Sequence, residues 1–166
     1  MTGHNARTPG VAGPGGPTVT APLTLTATAA SDTYRVGAAI PVRLRLVNGS
    51  SAPVQVNRRF GVGYQDGLCR EIFFTVRDAA GRELPVPDDR RVDAHRLPPG
   101  RDDFQLVEPA ESVTGEVDLA LWYPFEQPAD YLVELHYENS DAGTAFGLAA
   151  FTGRIDAEVL RLHITA

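Results

Sequence analysis

From Leu23 onward, apolar and polar residues alternate with a period of two. Leu23, Leu25 and Ala27 interleave with Thr24, Thr26 and Thr28. Ile40, Val42, Leu44 and Leu46 interleave with Pro41, Arg43, Arg45 and Val47, and Asn48-Gly49 closes that run with a turn dipeptide. This period places successive side chains on opposite faces, the pattern of a half-buried strand. Further strands are predicted around Val54 and Val56, around Ile72, Phe74 and Val76, and from Val113 through Gly115 and Val117 to Leu119. Two more follow at Tyr131, Val133, Leu135 and Tyr137, and at Leu160, Leu162 and Ile164. Ser31-Asp32-Thr33 and Asp78-Ala79-Ala80-Gly81 read as turns. Residues 85–103, rich in Pro, Asp and Arg, read as a long loop with at most a short edge strand. No segment sustains a 3.6-residue period, and Pro recurs too often for long helices. The expectation is an all-β fold of about seven to nine short antiparallel strands, closed as a sandwich or barrel.

The alternation is missing from residues 1–22, which hold five Gly and four Pro and almost no large apolar side chain. Such a segment cannot offset the entropy of ordering, so it is expected to be a disordered tail before one domain at 23–166. A chain of 166 residues with 43% hydrophobic content can bury one core without cross-links. The single cysteine, Cys69, cannot form an internal disulfide and points to a reducing compartment. The N-terminus carries no signal-peptide pattern, and no window approaches the length of a membrane span. These observations together give a soluble, cytoplasmic expectation.

All fifteen basic residues are Arg, with no Lys, which fits either the codon bias of a GC-rich bacterial gene or selection for Arg contacts. The charges are also unevenly placed: residues 1–101 carry 13 Arg against 8 acids, and residues 102–166 carry 2 Arg against 13 acids. The net charge of −6 argues against general nucleic-acid binding.

Three stretches resemble the recurrent bacterial immunoglobulin-like domain found in many uncharacterised proteins. They are Tyr34-Arg35-Val36-Gly37 running into residues 40–48, then Phe73-Phe74-Thr75-Val76-Arg77-Asp78 with Gly81, and residues 108–119 followed by Pro128-Ala129-Asp130-Tyr131, Tyr137-Glu138-Asn139 and Phe151-Thr152-Gly153. That family commonly has Pro-Gly before the Tyr, where this chain has Pro128-Ala129-Asp130, and Trp before the late Thr-Gly, where it has Phe151. The resemblance implies an immunoglobulin-like antiparallel β-sandwich over residues 23–166, and no activity. A more distant likeness is to the small intracellular proteinase inhibitors of bacilli, without a reactive-site motif to carry that function over. In an immunoglobulin-type arrangement the second strand pairs with the fifth. Arg43 and Arg45 are then expected to face Thr114, Glu116 and Asp118 on the solvent side. Tyr131, opening a strand after a Pro-containing turn, reads either as a tyrosine corner or as a plain core residue.

Catalytic chemistry finds little support. There is no GxSxG, HExxH, Walker-type loop or GxGxxG after a strand. His4 lies in the tail and His95 in the long loop. His136 and His163 lie on the last two long strands, where a cross-strand pair with a carboxylate would suit a metal, and solvated surface histidines are the competing reading. Cys69 beside Arg70 reads as a buried, inert thiol rather than an activated one. Asp88-Asp89 and Asp102-Asp103 lack calcium-loop spacing. Asn48-Gly49-Ser50 fits a glycosylation sequon, though a turn explains it.

The binding candidates are two loops. One spans residues 58–70 and places Arg58, Arg59, Phe60, Tyr64 and Arg70 among glycines, the composition of an adaptable recognition loop. The other carries Trp122, Tyr123 and Phe125 in a crossover between strands. In both, the competing reading is that the aromatics cap the ends of the core. The function expected is a non-catalytic protein-binding or structural accessory module without a cofactor, with its partner a protein. Proteinase inhibition through residues 58–70, or carbohydrate or metal binding, are the alternatives.

Overall fold

The computed structural model describes residues 22–63, 71–86 and 98–166. Tyr64, Cys69, Arg70, Asp88, Asp89, His95 and the tail up to residue 21 lie outside the described residues. The strands are β1 (Leu23–Ala29), β2 (Thr33–Arg35), β3 (Pro41–Asn48), β4 (Val54–Asn57), β5 (Val62–Gly63) and β6 (Ile72–Asp78) in the first half. The second half adds β7 (Glu83–Leu84), β8 (Phe104–Val107), β9 (Ser112–Asp118), β10 (Ala129–Asn139), β11 (Gly153–Asp156) and β12 (Leu160–Thr165). Only short 3-10 turns interrupt them among the described residues, and no helix there is long and apolar enough to cross a membrane.

Among the described residues the strands form three sheets. One has the order β1-β3-β9; a larger one has the order β2-β12-β10-β6-β5, with β11 beside β10 and β7 beside β6; β4 and β8 form a two-stranded ribbon. The first two sheets share one core. Val42, Leu44 and Leu46 of β3 and Val133, Leu135 and Tyr137 of β10 are all at most 1% exposed and belong to the same cluster. Burying side chains of this size contributes about 1.5–3 kcal/mol each relative to leaving them in water. The Thr and Arg residues between them on β1 and β3 stay exposed, so the period of two is the burial pattern itself.

The predicted pairing of β3 with β9 is present, with Arg43 opposite Glu116, Arg45 opposite Thr114 and Pro41 opposite Asp118. Asp118 does not complete a charge pair on solvent. Its Oδ1 turns back to accept the Ile40 N–H at 2.8 Å and the Ala120 N–H at 3.0 Å, because a strand ending in a 3-10 turn leaves those donors without ladder partners. Arg45 instead donates from Nε to Ser112 Oγ at 3.0 Å.

The phase of this ladder sets the direction of each β9 backbone group. The Asn48 N–H donates to Glu111 O and the Leu119 N–H donates to Ile40 O, both at 3.0 Å. In an antiparallel pair, every second residue is hydrogen-bonded to its opposite number. Val113, Gly115 and Val117 therefore direct their N–H and C=O groups toward β3. Ser112, Thr114 and Glu116 direct theirs the other way, off the edge of the sheet.

Several elements differ from the sequence expectation. Thr33, read as part of a turn, opens a short strand parallel to β12. Phe104–Val107 forms a strand where the burial runs buried, exposed, exposed, buried, so no alternation announces it. Asn48 is fully buried and donates from Nδ2 to Ala52 O and Val107 O, which ties the turn to β8 and keeps its amide from modification. Tyr131 is a tyrosine corner: its ring is 5% exposed and its hydroxyl donates to Gln127 O at 3.0 Å.

Candidate functional site

The loop after β4 is set by a buried carboxylate. Glu71, just before β6, is 2% exposed. Its Oε1 accepts from Arg59 Nη2 at 2.7 Å and from Asn57 Nδ2 at 3.0 Å. Its Oε2 accepts from the Gly61 N–H at 2.8 Å and from Arg59 Nε at 3.3 Å. A two-pronged Arg–carboxylate pair with two more donors compensates the desolvation that a buried acid suffers. Asn57 Oδ1 accepts the Arg59 N–H at 3.1 Å, and the Asn57 carbonyl accepts the Tyr137 hydroxyl at 3.0 Å. Burial pushes the Tyr137 phenol well above its usual range, with the Glu71 charge adding to the effect, so it stays a donor.

These bonds fold the loop tightly enough to place Phe60 in the left-handed region, at φ 49°. A non-glycine residue there is uncommon and persists when its surroundings over-determine it. The Phe60 ring drops into the core, 7% exposed, and sits edge-on to Tyr137 with centroids 6.1 Å apart. It occupies the place of a missing side chain on β9: a Cβ at Gly115 would lie 2.5 Å from Phe60 Cδ2. Phe60, read from sequence as a binding residue, is thus a core residue, and Arg59 is chiefly the clamp that holds the turn. Arg58 turns away, its N–H donating to Asp103 O at 2.8 Å and its Nε to Asp102 O at 3.4 Å.

The second loop divides into two parts. Leu119 is fully buried and anchors the 3-10 turn Leu119–Leu121, and its carbonyl accepts from the N–H groups of Trp122 and Tyr123 at 3.0 and 2.9 Å. Beyond it, Phe125 is 2% exposed at φ 43° and packs edge-on to Tyr131 at 5.2 Å and to Tyr123 at 4.8 Å. Tyr123 and Phe125 therefore close the end of the core around the tyrosine corner. Burial raises the Tyr123 phenol above its usual range. Leu121, by contrast, is 62% exposed, and Trp122 is half-buried.

The two loops meet. A groove of about 320 Å³ has Arg59, Phe60, Gly61 and Val62 as one wall, Glu116 to Asp118 of β9 along its floor, and Leu121 with Trp122 as the other wall. Of the sequence candidates, Arg59, Phe60 and Trp122 are brought together here, whereas Arg58 and Tyr123 are not. Tyr64 and Arg70 lie outside the described residues. Val62 lies within the predicted 58–70 loop, whereas sequence reasoning missed Glu116 and Leu121 as groove residues and the Asn57–Glu71 support beneath them. Trp122, singled out in the same crossover, was the available sign of the second wall. No protein-family model matches the chain, and no curated protein does either.

His136 and His163 do not form a site together. His163 lies opposite Asp130 and bonds it, Nδ1 to Oδ1 at 2.6 Å, at one end of β10. His136 lies six residues further along β10, opposite Phe73, on whose ring it stacks at 5.0 Å. At a strand rise of about 3.3 Å per residue the two are too far apart to share a metal. No group of three or more His, Cys, Asp or Glu side chains able to hold a metal ion occurs among the described residues.

Proposed function

We propose that this chain is an immunoglobulin-like sandwich that works as a non-catalytic protein-binding module, and that the groove between the 59–62 loop and Leu121-Trp122 is its contact site. The fold reading is supported by the pairing of β3 with β9, by β10 at the centre of the opposing sheet and by the tyrosine corner at Tyr131. The binding reading rests on one observation. A wall held rigid by the Arg59–Glu71 pair faces a wall that leaves a Leu and a Trp accessible, with acidic residues between. Fixed shape on one side and aromatic and aliphatic area on the other are what a protein contact needs at its centre. Among the described residues, the side chains lining the groove are one guanidinium, two carboxylates and apolar or aromatic groups.

The test uses Leu121→Asp and Trp122→Ala, which change the accessible wall and replace none of the donors to Glu71, namely Asn57, Arg59 and Gly61. Val159→Asp, at another exposed apolar position, is the control. Each purified protein is used as bait in extract of the native host, and captured proteins are quantified against the unsubstituted chain. Loss of a captured partner with both groove variants, and not with the control, supports the reading. Retention of every partner by both groove variants overturns it.

A further inference from the structure

The floor of the groove is the edge of a sheet. Among the described residues β9 has a neighbour on one side only. Thr114 and Glu116 direct their backbone N–H and C=O groups off that edge, as the ladder phase fixed by the Asn48 and Leu119 bonds requires. No described residue pairs with those groups, and both residues are exposed. A row of unsatisfied backbone groups is a template for one more strand. In the immunoglobulin arrangement of the constant type a fourth strand stands at this place; here β8, the strand before β9, pairs with β4 instead.

The surroundings say which strand would fit. On the solvent face, Arg43 of β3 stands across from Glu116 of β9, so the charge runs positive then negative across the sheet. The next position outward from Glu116 calls for a cation, since opposite charges across a ladder attract and like charges repel. On the other face, Val117 is buried beside Val62 and Trp122 in the groove, where there is room for a large apolar side chain. Successive residues of a strand alternate between these two faces.

We infer that the partner enters as an extended segment that adds to β9, with basic residues facing Glu116 and the alternate, apolar residues entering the groove. This rests on the protein-binding reading above and gives it a partner class. Backbone bonds to Thr114 and Glu116 supply attachment, and the alternation of basic and apolar side chains supplies selection.

The probe is a peptide of about seven residues, blocked at both ends, in which arginine and valine alternate. Binding is followed by the emission of Trp122, the only tryptophan of the chain, and by amide hydrogen exchange. The arginine–valine peptide is expected to shift the Trp122 emission and to slow exchange at Thr114 and Glu116. The same peptide with glutamate for arginine is expected to bind roughly fivefold or more weakly. Glu116→Arg should invert that preference. Thr114→Pro removes an outward N–H and leaves the ladder to β3 intact, since proline is tolerated on an edge. It should weaken binding by roughly twofold to tenfold, the worth of one hydrogen bond.

Slow exchange at Thr114 and Glu116 before any peptide is added would show the edge already paired and overturn the inference. So would a Trp122 shift with unchanged exchange at both amides, a result that leaves the groove as a contact site. Silence toward the peptide, while a host partner is still captured through Trp122, overturns the basic strand and keeps the binding module. Silence together with capture that ignores Leu121 and Trp122 removes both.

Discussion

Replacing Gly115 by Ala tests the joint between core and groove. The new Cβ would stand 2.5 Å from Phe60 Cδ2, 3.2 Å from Cγ and 3.3 Å from Cε2. Carbon atoms rest at about 3.5–4.0 Å, so the ring must retreat by roughly 1 Å. It has little freedom to do so. Tyr137 stands against its edge, and the backbone on either side is held by Glu71 through Arg59 and the Gly61 N–H. Overpacking of this kind costs about 1–3 kcal/mol. Glycine in a strand is itself worse than alanine by about 0.5–1 kcal/mol, which offsets part of that. Gly115→Ala should therefore destabilise the protein by about 0.5–2 kcal/mol. Phe60→Ala alone should cost about 3–5 kcal/mol. In that background Gly115→Ala meets no ring and should stabilise by about 0.5–1 kcal/mol. The sign change is the signature, a coupling of about 1–3 kcal/mol between the two positions. Urea unfolding of the four proteins, followed by Trp122 emission and far-ultraviolet circular dichroism, measures it. Equal effects of Gly115→Ala in both backgrounds, within about 0.5 kcal/mol, would refute the claim that Phe60 fills the place of that side chain.

Glu71→Ala removes the buried acceptor of the Arg59 guanidinium, the Asn57 amide and the Gly61 N–H and should cost about 3–5 kcal/mol in urea unfolding, with Glu71→Gln markedly milder because it keeps an acceptor for the Gly61 N–H. Tyr131→Phe removes the hydroxyl bond to Gln127 O and should cost about 0.5–1.5 kcal/mol; an unchanged urea midpoint would count against a working tyrosine corner. Burial, aided by Arg154, lowers the His136 pKa below its ordinary value of 6.5, against the smaller pull of Asp156 and Glu138. The unfolded chain then binds the proton more readily, so stability is full above pH 6.5 and falls as pH drops from there toward the folded pKa. Urea midpoints between pH 7.5 and 5.5 should fall less in His136→Gln than in the unsubstituted chain, and parallel curves would remove His136 as the cause.

The strands that carry the core were legible because their alternation is their burial: Leu44 and Leu46 go in, and Arg43 and Arg45 stay out. The facing of Arg43 and Glu116 was legible through the strand order that the immunoglobulin-like resemblance implies, and the opposite charges agree with it. What sequence could not show was where a polar side chain turns inward. Asp118 looks like its neighbour Glu116, yet its short carboxylate reaches back to two N–H groups at the strand end. Glu71, beside an apolar run, carries no sign of burial in the sequence; its burial depends on Asn57 and Arg59, which reach it only through the fold. The same holds for the aromatics. Phe60 among glycines has the composition of a recognition loop, and only the gap above Gly115 turns its ring into the core. The strands of two or three residues, β2, β5 and β7, are too short to show any period at all.

The two walls of the groove are under different constraints. On one, Arg59, Phe60 and Gly61 are committed to the Glu71 carboxylate and to Gly115, so almost any change there is felt first as lost folding. Lysine could not stand in for Arg59, since a point charge cannot make two parallel bonds to one carboxylate. On the other, Leu121 rests on Leu119 as its buried anchor and is itself free of core duties. New specificities, whether from natural drift or by engineering, should therefore accumulate at Leu121 and its neighbours, while the opposite wall holds its shape as a fixed jaw against which they are tried.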